Sequence, residues 1–302
     1  INKIKNKYNL KVVIYPFDMF GFTGGCRYSQ ACRNYLNQCK NCSALKKNYS
    51  RLAENNFTKN KNLLDKIQPK FIFPSGFAKE FANDTKISSL TNLSEIIHYP
   101  IIFDEKNNSQ SINDIKKKYN IKKDEKIIFF GAQDLREWRK GVKNFQNVIS
   151  LLNDVYLKKD NIKVKFICVG KNSKKIFKNF LDKIISYESV PHNELVNIYR
   201  ISDLIIIPSL QEWSSLMMSE VIFLKKTVFA FKTGSSNDLI IENINGLIFD
   251  NFEYDKIAKN IIFFLKNNKL VEKNEKNKNL NIEDKIQPNV LKDKFIKKVF
   301  ND

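Results

Sequence analysis

The stretch from Asp203 to Glu220 constrains the fold of this 302-residue chain more than any other. It opens with an unbroken apolar run, Leu-Ile-Ile-Ile, which ends at Pro208 and Ser209. Continuous apolar sequence is typical of a parallel strand covered on both faces, because a strand with one wet face alternates apolar and polar residues. The stretch therefore predicts a buried strand, a tight turn and the start of a helix.

The helix start after this turn is a candidate ligand site. Ser214 and Ser215 are both suitable N-cap residues, and the free N–H groups of a helix N-terminus attract phosphate. In an open α/β sheet, ligands bind at the carboxyl edge of the strands, where this turn lies.

Two carboxylates frame the turn. Glu212 follows the predicted strand closely, and Glu220 lies about two helical turns further on. This separation disfavours a close acid–base pair and favours two hydrogen-bonding roles along an extended ligand. The alternative interpretation is that both are solvated charges on a helix face.

Strands and helices alternate regularly in the second part of the chain. Strands are predicted at 126–130, 163–169, 203–207, 227–231 and 246–249. Helices are predicted near 141–157, 173–184, 192–201, 214–224, 235–242 and 253–267. This order predicts an α/β fold with a doubly wound parallel sheet.

The first part of the chain shows a shorter version of the same alternation. Strands are predicted at 11–16, 70–74 and 95–99, and helices at 44–66 and 76–90. At the other end, an amphipathic helix predicted at 288–300 carries an apolar stripe that needs a surface to lie on. Residues 266–285 are almost all Lys, Asn, Glu and Asp, which favours a solvated linker or an exposed helix end.

A basic loop lies at the same predicted sheet edge as the turn. It runs from Gly131 to Gly141 and contains Arg139 and Lys140. Arg offers phosphate a bidentate fork and Lys a mobile point charge, so this pair suits a pyrophosphate. The alternative is an ordinary basic loop in a chain rich in Lys.

The net charge of +20 limits the classes of partner. Arg occupies only positions 27, 33, 51, 136, 139 and 200, so the excess is nearly all scattered Lys. Specific nucleic-acid readers rely on Arg forks and clustered basic faces, and we therefore expect no nucleic-acid partner. Diffuse charge is sufficient for weak attraction to an anionic membrane surface.

Apolar runs in the sequence are too short to cross a bilayer, and no signal-peptide pattern is present. We therefore expect a cytoplasmic protein that can bind peripherally to the inner face of the membrane.

Four cysteines fall within one short segment. Cys26, Cys32, Cys39 and Cys42 have the spacing C-x5-C-x6-C-x2-C. Four thiolates are a common ligand set for structural zinc. Two disulfides, which a reducing cytoplasm disfavours, and four free thiols are the alternatives. Cys168 lies in a predicted buried strand, where we expect a small core residue.

The chain resembles glycosyltransferase family 4, a family of retaining, nucleotide-sugar-dependent enzymes of the GT-B fold. Matching motifs of the carboxy-terminal domain are Tyr199 to Asp203, Pro208 to Glu212, Glu220, and Gly234 to Asn245-Gly246. One subgroup is matched more specifically by Asp18 to Tyr28 (Asp-Met-Phe-Gly-Phe-Thr-Gly-Gly-Cys-Arg-Tyr), by the cysteines that follow, and by Tyr99-Pro100-Ile101.

The resemblance implies a role for each polar residue at the sheet edge. Glu220 would hold the ribose hydroxyls, and Glu212 would approach the hydroxyls of the donor sugar. Arg139 and Lys140 would neutralise the diphosphate leaving group, and the backbone near Val190 would receive the base. The resemblance assigns further donor contacts to Asp18, Gly131, Ser214, Ser215 and Leu216.

The resemblance also implies how the chain is divided. Residues 1–104 would be the remnant of an amino-terminal, acceptor-side Rossmann-like domain with a Cys-rich insertion. Residues 105–285 would be the nucleotide-sugar-binding Rossmann-like domain, and 286–302 a terminal helix. Because the chain begins with Ile1 and its first predicted strand follows almost at once, we expect the first domain to lack its beginning.

Four positions depart from the family pattern. Phe17 replaces a common His, Ala132 stands nearest to the usual phosphate-loop Arg, and Ser215 and Ser235 stand where glycines would let backbone approach a phosphate. They favour an alternative function, a degenerate GT-B domain that binds a nucleotide or a protein without catalysis.

The main expectation remains an enzyme. It would transfer a sugar from a nucleoside diphosphate sugar to a saccharide or lipid-linked acceptor, in the synthesis of cell-surface polysaccharide or lipopolysaccharide. Since no Asp-x-Asp motif occurs in the sequence, we expect a reaction without a metal cofactor.

Overall fold

The structure is a computed structural model that describes residues 5, 7–101, 110–153, 157–180, 184–270 and 282–301. The predicted domain boundary at residue 104 and most of the predicted linker, 271–281, lie outside the described residues. No helix among the described residues is long and apolar enough to cross a membrane.

The strands form two parallel sheets. The smaller sheet contains β1 (Val13–Ile14), β2 (Lys70–Phe73) and β3 (Glu95–Ile96) in that order. The larger sheet contains β4 (Lys126–Asp134), β5 (Val164–Lys171), β6 (Ile184–Tyr187), β7 (Leu204–Ile207), β8 (Thr227–Phe231) and β9 (Gly246–Phe249). Its strand order, β6-β5-β4-β7-β8-β9, confirms the doubly wound α/β prediction.

Helices connect the strands. In the first part of the chain these are α1 (Ser50–Ile67) and α2 (Gly76–Asp84). Around the larger sheet they are α3 (Ile112–Lys118), α4 (Val142–Leu151), α5 (Leu157–Asp160), α6 (Ser173–Ile176), α7 (His192–Ile201), α8 (Leu216–Phe223), α9 (Ser236–Leu239) and α10 (Tyr254–Asn267). The last described elements are α11 (Glu283–Ile286), α12 (Pro288–Ile296) and a short π-helix at Lys297–Asn301.

The larger sheet is covered on both faces, as the apolar run at 204–207 predicts. All four residues of β7 are buried, and alternate ones enter different clusters. Ile205 and Ile207 pack on one face with α7 and α8, whereas Leu204 and Ile206 pack on the other face with α4 and α10. β7 also lies between β4 and β8 in the strand order, so its carboxyl end is in the middle of the sheet, where a ligand site is expected.

One helix prediction was wrong. Among the described residues of the segment 173–184, only the single turn α6 and a short 3-10 helix at Lys178–Phe180 are helical, and Ile184 begins β6. Ile184 pairs with Phe166 and Tyr187 with Val169, which makes β6 the edge strand of the sheet. Pairing between distant strands outweighs local helical spacing here. The short helix α3 was not predicted.

The terminal helix packs on the smaller sheet. Leu291 of α12 is buried in one cluster with Ile72 of β2 and Ile97, which provides the surface that its apolar stripe requires. The last part of the predicted linker is also ordered into the core. Ile282 is buried in the main cluster of the larger sheet together with Ile286 of the following segment, so a solvated linker is wrong for Ile282.

Trp213 joins the loop after β7 to the smaller sheet. Its side chain is 1% exposed and packs with Phe22, Phe73 and Phe81. The indole N–H donates to the carbonyl of Pro16 at 2.9 Å. Trp213 therefore belongs to a hydrophobic core and does not present its ring to a ligand.

Replacing Trp213 by Ala should lower the free energy of unfolding by about 3–5 kcal/mol, because a large buried ring is lost and a cavity remains. Urea unfolding followed by circular dichroism measures this change. Trp138, which is 44% exposed, is the matched control, and Trp138→Ala should change stability by less than about 0.5 kcal/mol. Equal effects of the two substitutions would contradict the anchoring role.

Candidate functional site

A cavity of about 760 Å³ opens at the carboxyl ends of β4, β5 and β7. Phe17, Tyr28 and Tyr99, from the first part of the chain, form one wall. All three predicted catalytic residues line the cavity: Glu212, Arg139 and Lys140. Six predicted donor-binding residues also line it: Gly131, Val190, Ser214, Ser215, Leu216 and Glu220. Asp18 is not among the lining residues and pairs with Arg27 at 2.9 Å.

Glu212 is buried between two cations. Its side chain is 5% exposed, and its oxygens accept from Arg139 Nη1 at 2.8 Å and from Lys140 Nζ at 2.6 Å. Arg139 also contacts Glu137 at 2.7 Å. The interpretation of Glu212 as a solvated charge is therefore wrong.

Backbone contacts hold the basic loop against the end of β7. The N–H of Leu210 donates to the carbonyl of Arg139 at 2.7 Å. Gly141 has φ +68°, and a Cβ there would lie 1.7 Å from the carbonyl oxygen of Pro208. Only glycine fits both this conformation and this close approach. The sequence thus places the two cations beside Glu212 through the glycine that follows them.

Glu220 belongs to a separate network. Its side chain is 6% exposed, with His192 Nε2 at 3.0 Å from one oxygen. The hydroxyl of Tyr199 donates to the other oxygen at 3.3 Å. Burial, together with the nearby Glu220 carboxylate, raises the pKa of Tyr199 well above its ordinary value. Glu220 is therefore a buried acceptor at the cavity wall and not a solvated helix-face charge.

The helix start between these networks can receive an anion. Ser215 is the N-cap of α8, because its side chain accepts from the N–H of Met218. Ser214 is not a cap, since its hydroxyl donates to the carbonyl of Pro74 at 3.1 Å. Within the described chain, the N–H groups of Leu216 and Met217 have no hydrogen-bond partner. Both residues line the cavity, so two backbone donors at the positive end of α8 remain for a ligand.

Ser215 and Ser235 occupy the two positions at which the family resemblance leads us to expect glycine. The N–H of Ser215 donates to the hydroxyl of Ser235 at 3.3 Å, and Ser235 is fully buried. Gly234, which directly precedes Ser235, has φ +57° and lies against Glu212. The Ser235 hydroxyl therefore accepts from the Ser215 N–H, which would stay available to a ligand if residue 235 were glycine.

An aromatic wall faces this polar surface. The Phe17 ring is 69% exposed and stacks on Tyr99 with a centroid distance of 5.7 Å. Tyr15 contacts both rings edge-on. Burial raises the pKa of Tyr99, and the nearby Glu212 carboxylate raises it further. An exposed but well-supported ring in a polar cavity is suited to the apolar face of a ligand.

Sequence reasoning missed several of the lining residues. His192 received no functional role from its sequence position, and in the structure it contacts Glu220. The tyrosines at 28, 99 and 199 received no individual role. The only sequence signal for His192 was its place at a helix start beside Val190. A tyrosine gives no such signal in the sequence, because its role depends on neighbours that only the fold brings to it.

None of the four cysteines of the amino-terminal segment forms a disulfide in this structure. The N–H of Gly24 donates to Cys39 Sγ at 3.1 Å, and burial raises the pKa of Cys39. No group of three or more His, Cys, Asp or Glu side chains in the described residues is arranged to hold a metal ion. Structural zinc at Cys26, Cys32, Cys39 and Cys42 stays a prediction from their spacing. Cys168 is buried in β5.

Comparison with known proteins identifies the family. The model of the family described as "Glycosyl transferases group 1" matches residues 111–280, more than half of the chain. The chain belongs to this family. The matched residues include the basic loop, the turn after β7, and both Glu212 and Glu220. No curated protein gives a significant sequence match.

Solved structures show the same fold. HepE from Anabaena, in complex with UDP and glucose, has 12% identity and a TM-score of 0.68, with 99% of this chain and 73% of that chain covered. A glycosyltransferase from Rickettsia africae has 16% identity and a TM-score of 0.63, with coverages of 100% and 80%. A sucrose-phosphate synthase from Thermosynechococcus elongatus has 13% identity and a TM-score of 0.60, with coverages of 88% and 61%.

The chain covers 61% of the length of the sucrose-phosphate synthase, which is less than two thirds. At these identities the likeness concerns the fold alone. The neighbours have the GT-B fold, which confirms the predicted fold class of two Rossmann-like domains.

Gly141→Ala should lower the free energy of unfolding by at least about 1 kcal/mol, because the new methyl group meets backbone and the φ value is positive. It should also weaken anion binding, since Arg139 and Lys140 precede it. Urea unfolding and calorimetric titration with pyrophosphate measure the two effects. Gly21 has open space around a Cβ, and Gly21→Ala is the control. Unchanged stability of the Gly141 variant would show that the close approach to Pro208 is unimportant.

If the four cysteines hold zinc, the chain purified under reducing conditions will contain about one zinc ion per molecule. The paired substitution Cys26→Ser and Cys42→Ser should remove it, whereas Cys168→Ala should not. Elemental analysis after gel filtration measures the ratio. A metal-free wild-type chain would eliminate zinc and leave free thiols.

Proposed function

We propose that this chain transfers a sugar from a nucleoside diphosphate sugar to a saccharide or lipid-linked acceptor, with retention of the anomeric configuration. One observation carries the proposal. One cavity is lined by the buried carboxylate of Glu220, which accepts from the Tyr199 hydroxyl, by the cations of Arg139 and Lys140 beside a helix N-terminus, and by an aromatic wall. These three features match a nucleoside, a diphosphate and a sugar in chemistry.

The nucleoside would bind at Glu220. A ribose diol donates two hydrogen bonds, and a buried carboxylate that already accepts from Tyr199 and contacts His192 is a fixed acceptor for them. Val190 and Leu195 line the adjacent part of the cavity and offer apolar surface to a base. HepE, in its complexes with UDP and UDP-glucose, makes UDP the first nucleotide to test.

The diphosphate would bind between Arg139, Lys140 and the free amides of α8. Both cations are paired with the Glu212 carboxylate. A diphosphate brings its own negative charge and would take over part of these contacts. The transition state of glycosyl transfer is oxocarbenium-like, so negative charge grows on the departing phosphate. Cations and amides that are already oriented there stabilise it most.

The sugar would lie between Glu212 and the aromatic wall. It is attached to the phosphate that is remote from the nucleoside, which directs it away from Glu220 and towards Phe17, Tyr28 and Tyr99. Glu212 supplies an acceptor for sugar hydroxyls, whereas the exposed Phe17 ring supplies an apolar surface for C–H groups. Phe17 cannot form a hydrogen bond, so packing would replace one at this position.

Further parts of the proposal rest on the sequence. The Asp18 to Tyr28 segment and the cysteines favour membership of the corresponding subgroup of glycosyltransferase family 4. We place the reaction in cell-surface polysaccharide or lipopolysaccharide synthesis, on the cytoplasmic side of the membrane. The lack of an Asp-x-Asp motif favours a metal-independent reaction in which Arg139 and Lys140 stabilise the leaving group.

A non-catalytic nucleotide-binding domain is the second candidate. The observation in its favour is that Ser235 occupies the amide of Ser215 and that Glu212 occupies both cations. Calorimetric titration with UDP and GDP, together with donor hydrolysis by the full-length protein, separates the two functions. Nucleotide binding without turnover of any nucleoside diphosphate sugar would favour the second candidate.

Glu220→Gln and Glu212→Gln should have different effects. The first should weaken UDP binding by about tenfold to a hundredfold, because a charged acceptor for ribose is lost. The second should leave UDP affinity equal or higher, since the cations are released. It should reduce sugar transfer or donor hydrolysis by about a hundredfold or more.

Calorimetry and a UDP-release assay measure the two quantities. Glu137→Gln is the control, because Glu137 contacts Arg139 from a more exposed position, and it should change both only slightly. Unchanged binding and turnover in both variants would refute the assigned roles.

A further inference from the structure

Tyr28 makes a contact that the proposed reaction does not yet use. The guanidinium carbon of Arg139 lies over the Tyr28 ring, 4.1 Å from its centroid. Tyr28 comes from the cysteine-rich segment, is half-buried and lines the cavity. Burial raises the pKa of its hydroxyl, so the residue is a neutral phenol at physiological pH. Its ring face is available to a cation.

The contacts of Arg139 divide by geometry. A guanidinium donates hydrogen bonds within its plane, and it stacks through its face. Arg139 Nη1 donates to Glu212 and Nη2 lies 2.7 Å from Glu137, whereas the contact with Tyr28 places the guanidinium carbon over the ring. A phosphate needs the in-plane donors. It would therefore compete with the carboxylates and leave the ring contact intact.

We propose that Tyr28 is a positioning residue that holds Arg139 in place for the diphosphate of the donor. This inference rests on the proposed function, in which Arg139 binds that diphosphate. When a phosphate takes these donors from the carboxylates, the ring contact continues to hold the long side chain in its orientation. A side chain already oriented loses less conformational freedom on binding.

The segment that carries Tyr28 is fastened to the loop that carries Glu212. The side-chain amide of Gln211 donates to Ser29 at 3.1 Å and accepts from the N–H of Gln30 at 3.0 Å. Gln211 directly precedes Glu212 and is buried. Two of the groups that contact Arg139, the Tyr28 ring and the Glu212 carboxylate, are therefore positioned by one pair of hydrogen-bonded segments.

Binding of inorganic pyrophosphate and of UDP to the full chain tests the inference. Tyr28→Leu should weaken both affinities by about fivefold to thirtyfold, the range expected for loss of a partly desolvated cation–π contact. Tyr28→Phe keeps the ring and should restore them. Uridine, which lacks phosphate, should bind all three proteins equally in ligand-observed NMR titrations.

Tyr35→Leu separates positioning from a purely structural role. Tyr35 lies in the same segment, is half-buried, and contacts Phe81 with a centroid distance of 4.4 Å, but it does not line the cavity. Both Leu variants are expected to lose stability in urea unfolding, whereas only Tyr28→Leu should lose pyrophosphate affinity. Equal loss of affinity in both variants would overturn the inference.

Arg139→Ala distinguishes the positioning role of Tyr28 from the diphosphate-binding role of Arg139. If this variant loses pyrophosphate and UDP affinity while Tyr28→Leu keeps it, the positioning role is wrong and the proposed diphosphate site stands. If Arg139→Ala binds both ligands like the wild-type chain, or if the wild-type chain binds neither, the diphosphate role of Arg139 fails and the role of Tyr28 fails with it.

Discussion

The ion pairs at Glu212 are the interaction on which the site depends. A carboxylate that is almost fully removed from water is destabilised by several kcal/mol unless charges and hydrogen bonds compensate it. Arg139 and Lys140 provide that compensation from a loop far away in sequence. The loop must therefore stay against the end of β7, and Gly141 is the residue that lets it approach so closely. The cations needed for a diphosphate are in this way present before any ligand arrives.

The turn after β7, which carries Glu212, also carries an apolar contact between the two sheets. Trp213 follows Glu212 directly and is buried among aromatic residues of the first part of the chain. Ser214 adds a hydrogen bond to Pro74. One short turn thus has a charged side towards the basic loop and an apolar side towards the smaller sheet. As a result the cavity has walls from both parts of the chain, and aromatic residues before position 105 face the polar residues of the family-matched region.

Some features of the site follow from local pattern and others do not. The strand at 204–207, the turn and the helix start were predictable because continuous apolar sequence and an N-cap serine are local signals. The edge strand β6 was missed because its short apolar run also fits a helix, and only pairing with β5 decides between them. His192 and Tyr28 were missed for a similar reason, since their partners Glu220 and Arg139 are brought to them by the fold.

The sequence by itself determined the class of fold, the sheet edge that carries the site, and the charged residues that gather there. These depend on periodicity, capping and spacing, which a chain expresses within a few neighbouring residues. Tertiary structure alone decided that Glu212 pairs with both cations, that Trp213 is core rather than ligand surface, and that Phe17 lies exposed in the cavity. Each of these outcomes is set by which distant side chains share a low-dielectric space, and local sequence does not encode that proximity.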